Sequence, residues 1–296
     1  MKNALFIISF LCITPIYSQW DKFSEVLNNN LLDIEAIESG DKLFVVGTDL
    51  NTMPSSGIIY NSIDGGINWD TVYYQEVDSL LGILYRVNII DSNIAYVTNA
   101  GNRVFKSIDG GSSWSTLNLP TLEAGPATDA VYFINSEIGF IGNYYGEIFK
   151  TIDGGVNWEL VHFLQPYTPI YDINCPTIDT CYARSSIPSF LKSIDGGNTW
   201  NAVSSAPNTT LLGGMHVINK DTIVMVSSDA LIFRTINGGE HWDTITSPIN
   251  AGFLDVQFID SIGFAVGRKE AIIKSCLLYT SPSPRDATLS RMPSSA

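Results

Sequence analysis

Residues 62–69 read SIDGGINW, and this eight-residue pattern returns four more times along the chain. The later copies are SIDGGSSW at 107–114, TIDGGVNW at 151–158, SIDGGNTW at 193–200 and TINGGEHW at 235–242. Successive copies begin 45, 44, 42 and 42 residues apart. A nearly constant period of this length is typical of repeat architectures in which each repeat is one supersecondary unit.

The sequence between two copies reads as short β-strands. In the third repeat the runs are AVYFI (130–134), IGFIG (138–142), EIFK (147–150) and WELV (158–161). No segment keeps apolar residues at i, i+3 and i+4 over about ten residues, which argues against a helical repeat. Four short strands per repeat predict one blade of an all-β propeller. We therefore expect five complete four-stranded blades and a sixth built from residues 250–275.

The start of the propeller resembles the strand that follows each octapeptide. Trp20-Asp21-Lys22-Phe23 begins in the same way as Trp69-Asp70-Thr71-Val72. A propeller must pair its first and last blades, or it leaves open strand edges. We expect residues 20–26 to supply the outer strand of the sixth blade. The alternative is a seventh blade that this chain lacks.

The octapeptide has a local physical role as a hairpin turn. Its Asp side chain can accept hydrogen bonds from the backbone N–H groups just after it, and its glycines can adopt positive φ. The tryptophan can fold back and bury its ring over the turn, which contributes roughly a few kcal/mol. In the fifth copy Asn237 keeps the acceptor oxygen without the charge. The predicted structural residues are Asp64, Trp69, Asp109, Trp114, Asp153, Trp158, Asp195, Trp200, Asn237 and Trp242.

These octapeptides resemble the Asp box, also called the bacterial neuraminidase repeat, and the resemblance covers residues 62–275. The lysine before the box and the strands IGFIG (138–142) and IGFAVG (262–267) are most similar to the photosystem II assembly/stability factor-like family of secreted bacterial propellers. The resemblance implies that each box is a peripheral structural turn away from the ligand face. It implies no catalytic role for a box residue and no cofactor.

Both ends of the chain differ from the repeats. Residues 1–19 combine a positive start, an apolar run from Ala4 to Thr14 and a break at Pro15, which is the pattern of a secretory signal peptide. Residues 276–296 are rich in Ser and Pro and read as a non-native, disordered tail. The propeller is therefore assigned to residues 20–275. No other segment has about 18 uninterrupted apolar residues, so we expect a secreted or cell-surface protein without membrane insertion after cleavage.

The composition excludes one class of partner. The chain has 30 acidic and 16 basic residues and a formal net charge of −14. Nucleic-acid binding depends on neutralising phosphates with Lys and Arg, so an acidic chain of this kind is not expected to bind nucleic acid.

Two cysteines frame a five-residue loop in the fourth repeat. Cys175 and Cys181 lie between its first and second strands, and an exported protein meets an oxidising compartment. We expect them to form a disulfide. Two reduced buried thiols or a redox pair are the alternatives, although the spacing is not that of a C-x-x-C motif.

The sequence contains no recognisable reaction centre. The histidines His162, His216 and His241 belong to three different repeats and share no metal-ligand spacing, so no metal site is predicted. A sialidase would need an arginine cluster for the substrate carboxylate, and the body of the chain has few arginines. We therefore predict no enzymatic activity and no cofactor. A sialidase-like or other glycoside hydrolase remains the alternative, because acidic residues are abundant.

The predicted binding face consists of the loops between second and third strands and between repeats. Tyr144, Tyr145 and Tyr167 are the candidate contacts there, together with Arg268. An exposed tyrosine ring offers contact area at low entropic cost, although the same rings could fill gaps between blades. The prediction is an exported, non-catalytic scaffold that binds a protein or glycan, as a monomeric module of a larger protein. A photosystem II assembly factor-like protein is the further alternative, although the chain lacks an arginine-rich patch.

Overall fold

The computed structural model of the 296-residue chain describes residues 29–37, 39–49, 56–75, 82–101, 103–117, 119, 128–164, 168–186, 190–207, 212–259, 262–267 and 272–275. The predicted signal segment (1–19), closing strand (20–26) and C-terminal tail (276–296) lie outside these residues.

The described residues form six antiparallel sheets, which we call blades 1 to 6 in chain order. Blade 1 contains β1 (Asn29–Ala36), β2 (Leu43–Asp49), β3 (Ser56–Ser62) and β4 (Asp70–Gln75). Blade 2 contains β5 (Leu84–Ile89), β6 (Ala95–Asn99), β7 (Val104–Ser107) and β8 (Ser115–Leu117). Blade 3 contains β9 (Thr128–Phe133), β10 (Gly139–Asn143), β11 (Glu147–Thr151) and β12 (Glu159–Phe163).

The other three blades follow the same order. Blade 4 contains β13 (Ile170–Asn174), β14 (Cys181–Ser185), β15 (Phe190–Ser193) and β16 (Asn201–Ala202). Blade 5 contains β17 (Leu212–Val217), β18 (Ile223–Ser227), β19 (Leu231–Thr235) and β20 (Asp243–Thr246). Blade 6 contains β21 (Phe253–Ile259), β22 (Ile262–Gly267) and β23 (Ile272–Ser275). The predicted all-β architecture of repeated four-stranded sheets is therefore present, with three strands of the sixth sheet in the described part.

The blades are stacked face to face, and the core lies between them. Each main cluster of buried apolar side chains combines residues of two consecutive blades. First strands of neighbouring blades contact each other, as β1 does with β5, β5 with β9, and β9 with β13. The first strand of each blade is thus innermost, which agrees with the exposed side chains of the fourth strands β8, β16 and β20.

Each of the five octapeptides connects the third strand of a blade to the fourth. In blade 3 the Thr151 hydroxyl donates to Asp153 Oδ1 at 2.9 Å and accepts the N–H of Gly155 at 2.9 Å. The Asp153 carboxylate also accepts the backbone N–H of Asn157 at 2.8 Å and its side-chain amide at 2.7 Å. Both glycines of every box have positive φ, between 65° and 93°. These bonds close the turn locally, which explains why the pattern is so uniform.

The boxes also join consecutive blades. The Trp114 ring of blade 2 meets Phe44 of blade 1 edge to face, with ring centroids 5.8 Å apart. Lys106 of blade 2 donates to the Gly154 carbonyl of blade 3 at 2.9 Å, and Lys192 of blade 4 does the same to Gly238 of blade 5 at 2.8 Å. The octapeptide therefore stabilises the boundary between blades as well as its own hairpin.

Cys175 and Cys181 form a disulfide in the structure, with Cα atoms 4.0 Å apart. The bond joins the end of β13 to the start of β14, and both residues are buried in the core between blades 3 and 4.

We expect Trp200→Ala to destabilise the protein by about 3–5 kcal/mol, because the change leaves a cavity between blades 3 and 4. Trp200 is only 5% exposed, and its ring packs edge to face on Phe140 at 5.9 Å. Ile194 belongs to the same box but is 73% exposed, so Ile194→Ala is the control and should change stability by less than about 0.5 kcal/mol. Urea unfolding measures both variants. Equal stability of the two would contradict this account of the box.

Candidate functional site

The chain order gives the propeller two different ends. The boxes and the turns between first and second strands lie at one end of each sheet, which we call the box end. The turns between second and third strands lie at the opposite end, where each first strand also begins. The residues that begin the innermost strands are therefore presented away from the boxes.

Every innermost strand has a pairing irregularity near its beginning. The register shifts lie between residues 31 and 33, 84 and 86, 170 and 172, 212 and 215, and 253 and 255, and opposite residues 128–130. A bulge inserts an extra residue that points its side chain in a new direction, and bulges are frequent next to functional sites. The bulged residues include Leu32, Tyr85, Asp129, Tyr171 and Leu254.

After the bulge, polar side chains of one innermost strand accept hydrogen bonds from the backbone of the next innermost strand. Asp33 Oδ2 accepts the N–H of Val87 at 2.9 Å, and Glu35 Oε2 accepts the N–H of Ile89 at 2.8 Å. The Asn88 side chain then accepts the N–H of Phe133 at 2.8 Å. These contacts satisfy edge groups that no fifth strand pairs.

Two arginines and a tyrosine complete this set of bonds as donors. Arg86 Nε donates to the carbonyl of Asp129 at 3.3 Å, and the Tyr132 hydroxyl donates to the carbonyl of Cys175 at 3.3 Å. Arg184 Nη1 donates to the carbonyl of Leu212 at 3.4 Å. Polar side chains of the innermost strands, together with Arg184 of the second strand β14, therefore hold successive blades together.

Burial gives several of these carboxyls raised pKa values. Desolvation raises the pKa of Glu35 to about 8, although the N–H of Ile89 opposes the shift. Desolvation also raises the pKa of Asp172 to about 6 against the attraction of Arg184. The pKa values of Asp33 and Asp255 are raised for the same reason. The box aspartates show the opposite behaviour, since hydrogen bonds from Thr199 lower the pKa of Asp195 to about 2.

The bulged residues of blades 2 to 4, Tyr85, Asp129 and Tyr171, form a site that we call the tyrosine site. Tyr144 of the turn between β10 and β11 and Arg184 of β14 complete it. Desolvation raises the pKa of Asp129 to about 6, while Arg86 and Arg184 act in the opposite direction. Desolvation and the Asp129 carboxylate raise the pKa of the Tyr85 hydroxyl. Asp129 acts in the same direction on the pKa of the Tyr171 hydroxyl, against the Arg184 guanidinium. The three residues occupy the bulges of consecutive innermost strands, of which β9 contacts both β5 and β13.

Arg184 contacts the tyrosine site through the ring of Tyr171. Its guanidinium carbon lies 4.9 Å from the centre of the Tyr171 ring, a cation–π arrangement. Arg184 is directly opposite Asp172 in the pairing of β13 with β14, and only 7% of the residue is exposed. Its Nε atom is buried and has no hydrogen-bond partner among the described residues.

The structure places two of the predicted binding residues beside this site. Tyr144 lies in the turn between β10 and β11, is 43% exposed, and is close enough to Tyr171 to affect the pKa of its hydroxyl. Tyr145 follows in the same turn and is half-buried. Tyr167 and Arg268 lie outside the described residues.

Sequence reasoning missed Tyr85, Asp129, Tyr171 and Arg184. A usable signal was present, because aligned first strands carry polar residues at alternate positions, as in Arg86 and Asn88 or Asp172 and Asn174. The sequence did not show the bulge in β9, which takes Asp129 out of this alternation.

The described residues lack two features, a metal-binding cluster and a membrane-spanning helix. Their His, Cys, Asp and Glu side chains include no group of three or more arranged to hold a metal ion. Within the same ranges, no helix has the length and hydropathy of a membrane span.

We expect the stability of the protein to fall as the pH rises from about 4.5 to 8. A carboxyl whose pKa is raised on folding keeps its proton in the folded state while the unfolded chain loses it, so Glu35 opposes folding at high pH. One proton changes the unfolding free energy by at most about 1.4 kcal/mol per pH unit. Glu35→Gln keeps an acceptor for Ile89 and should flatten the profile between pH 6 and 8.

Urea unfolding at several pH values measures this effect. The exposed Glu159→Gln on the outer strand β12 is the matched control, because it removes the same charge outside the innermost strands. A Glu35→Gln profile with the same slope as Glu159→Gln would show that Glu35 is ionised in the folded protein.

Comparison with solved structures shows the fold. A GH74 enzyme from Niastella koreensis superposes with a TM-score of 0.65 at 16% identity, over 82% of this chain and 44% of that chain. The GH74 xyloglucanase from Xanthomonas campestris gives 0.63 at 14% identity, over 83% of this chain and 44% of its own. YCF48 from Cyanidioschyzon merolae gives 0.53 at 16% identity, over 86% and 98% respectively. These likenesses establish the β-propeller fold, and this chain spans less than half of the length of the two GH74 enzymes.

Comparison of sequences shows the family. No match was found among curated proteins. The family model described as Photosynthesis system II assembly factor YCF48 matches residues 14–165, just over half of the 296 residues. The repeated boxes that define this region continue with the same spacing as far as residue 242. The chain therefore belongs to the Photosynthesis system II assembly factor YCF48 family.

Proposed function

We propose that this protein is an exported, non-catalytic propeller that binds a protein partner at the tyrosine site. The observation that carries the proposal is the convergence of three tyrosines from three blades, Tyr85, Tyr144 and Tyr171, at the end opposite the boxes. Tyrosine is enriched at protein interfaces because its rigid ring offers both apolar area and a hydroxyl. Rings on neighbouring rigid strands are also preorganised, which lowers the entropic cost of binding.

Family membership supports a protein as the partner. The family is described as an assembly factor, a role that requires contact with other polypeptides. We carry over only this general part to the present chain. The chain is strongly acidic, with a net charge of −14, so its partner is expected to present a complementary basic surface.

The use of the polar innermost residues supports a non-catalytic role. Asp33 and Glu35 accept backbone hydrogen bonds across the boundary between blades 1 and 2, and Arg184 and Asp172 face each other within blade 4. Groups engaged in holding the fold together are poorly placed to exchange protons with a substrate.

Export is supported by two independent features. The signal-like segment at residues 1–19 predicts secretion, and the Cys175–Cys181 disulfide suits an oxidising compartment. The protein would then meet its partner in the periplasm or outside the cell.

Glycoside hydrolysis is the second candidate, favoured by the fold shared with GH74 enzymes and by two carboxyls, Asp129 and Asp172, whose pKa values are raised to about 6. A carboxyl that holds its proton near neutral pH can serve as a general acid. Hydrolysis of xyloglucan that disappears in Asp172→Asn would establish this function in place of the first.

Selection from a random peptide library tests the proposed function. Peptides enriched on the full chain should bind at least about tenfold more weakly to Tyr144→Ala and Tyr171→Ala, because aromatic anchors carry most of an interface's free energy. Ile194→Ala at the box end is the control and should bind as the parent protein does. Titration calorimetry gives the affinities.

Two outcomes would contradict the proposal. Peptides whose affinity is unchanged in both tyrosine variants would place binding elsewhere. Selective binding to a glycan array, without any enriched peptide, would make the ligand a carbohydrate.

A further inference from the structure

The charge at the centre of the tyrosine site is not balanced, and this inference rests on the proposed function above. Asp129 occupies the bulge at the start of β9, between the innermost strands that carry Tyr85 and Tyr171. Its backbone carbonyl accepts Arg86 Nε at 3.3 Å, but its carboxylate makes no hydrogen bond or salt bridge among the described residues. A half-buried carboxylate without a partner costs free energy that a bound cation would recover.

The two nearby arginines are already engaged with other groups. Arg86 forms an ion pair with Asp33 at 4.0 Å in addition to its bond to the Asp129 carbonyl. Arg184 faces Asp172, stacks on Tyr171 and donates to the Leu212 carbonyl. The same two guanidinium groups also attract Asp129, but they are shared with Asp33 and Asp172, so the carboxylates at this site outnumber the guanidinium groups.

The surroundings of Asp129 suit a cation better than a neutral polar group. Tyr85 and Tyr171 occupy the bulges of β5 and β13, the innermost strands that contact β9 from the two neighbouring blades, and Tyr144 lies in the turn between β10 and β11. The faces of aromatic rings carry negative potential and attract ammonium and guanidinium groups, most strongly where water is excluded. A carboxylate adds a charge-assisted hydrogen bond.

We propose that the tyrosine site binds a basic side chain of the partner, with its ammonium or guanidinium group held by the Asp129 carboxylate between Tyr85 and Tyr171. The overall charge of −14 would steer such a partner toward the propeller at low ionic strength. The bulge in β9 is thus the feature that converts an edge of the sheet into a recognition site.

A pair of small probes tests this proposal without the natural partner. Nα-acetyl-lysine amide carries the ammonium group, and Nα-acetyl-norleucine amide has a similar chain without it. In NMR titrations of the full chain, we expect the lysine probe to shift signals of the tyrosine site and to bind at least about tenfold more tightly than the norleucine probe.

Four variants locate the bound group. Asp129→Asn should weaken binding of the lysine probe about tenfold. Asp229→Asn, which changes an exposed acid in the turn between the second and third strands of blade 5, should leave it unchanged. Tyr171→Leu should weaken it several-fold, and Tyr171→Phe, which keeps the ring, should not. The melting temperature of Asp129→Asn controls for folding and should not fall, because the change removes one half-buried carboxylate from a site where carboxylates outnumber guanidinium groups.

Each outcome decides the proposal. Equal binding of the two probes, or unchanged lysine binding in Asp129→Asn, would overturn the recognition of a basic side chain. Library peptides that still depend on Tyr144 and Tyr171 would then leave the proposed protein-binding function intact. If the lysine probe binds as expected but no peptide does, the cation site stands and the proposed function fails.

Discussion

In a propeller, the innermost strand of each blade has one edge that no further strand pairs, so the N–H and C=O groups along that edge need other hydrogen-bond partners. In this propeller, side chains of one blade supply such partners to the next, as Asp33 and Glu35 do for the N–H groups of Val87 and Ile89. Asn88 repeats the contact one blade further on, at Phe133. The rest of the fold depends on this constraint. These hydrogen bonds set both the distance between successive innermost strands and the position of one strand along the next.

The boxes hold successive blades together at the other end of the molecule. Each box closes its own hairpin with an Asp or Asn acceptor. Several boxes also contact the preceding blade, as Trp114 does through the Phe44 ring, and as the carbonyls of Gly154 and Gly238 do by accepting a lysine. The two sets of contacts are far apart along each sheet. A blade that is held at both ends has little freedom to tilt, so residues at the start of its first strand are presented rigidly.

Rigid presentation explains why one scaffold can serve different purposes. The family match concerns an assembly factor, and the same fold is found in GH74 enzymes, so the fold alone assigns neither role. In this chain, three of the rigidly presented positions are the bulges near the starts of β5, β9 and β13, and they carry Tyr85, Asp129 and Tyr171.

The sequence by itself determined the repeat, the four-stranded blade and the box turn, because each follows from local chemistry within a few residues: Asp153 reaches the N–H of Asn157 in the same octapeptide. The pairing of Cys175 with Cys181 was predictable for the same reason. The tyrosine site was decided only by tertiary structure. Tyr85, Asp129 and Tyr171 are about 43 residues apart in sequence, and register shifts in three separate strands bring them together. No local pattern specifies a bulge, since it depends on how one innermost strand meets its neighbours.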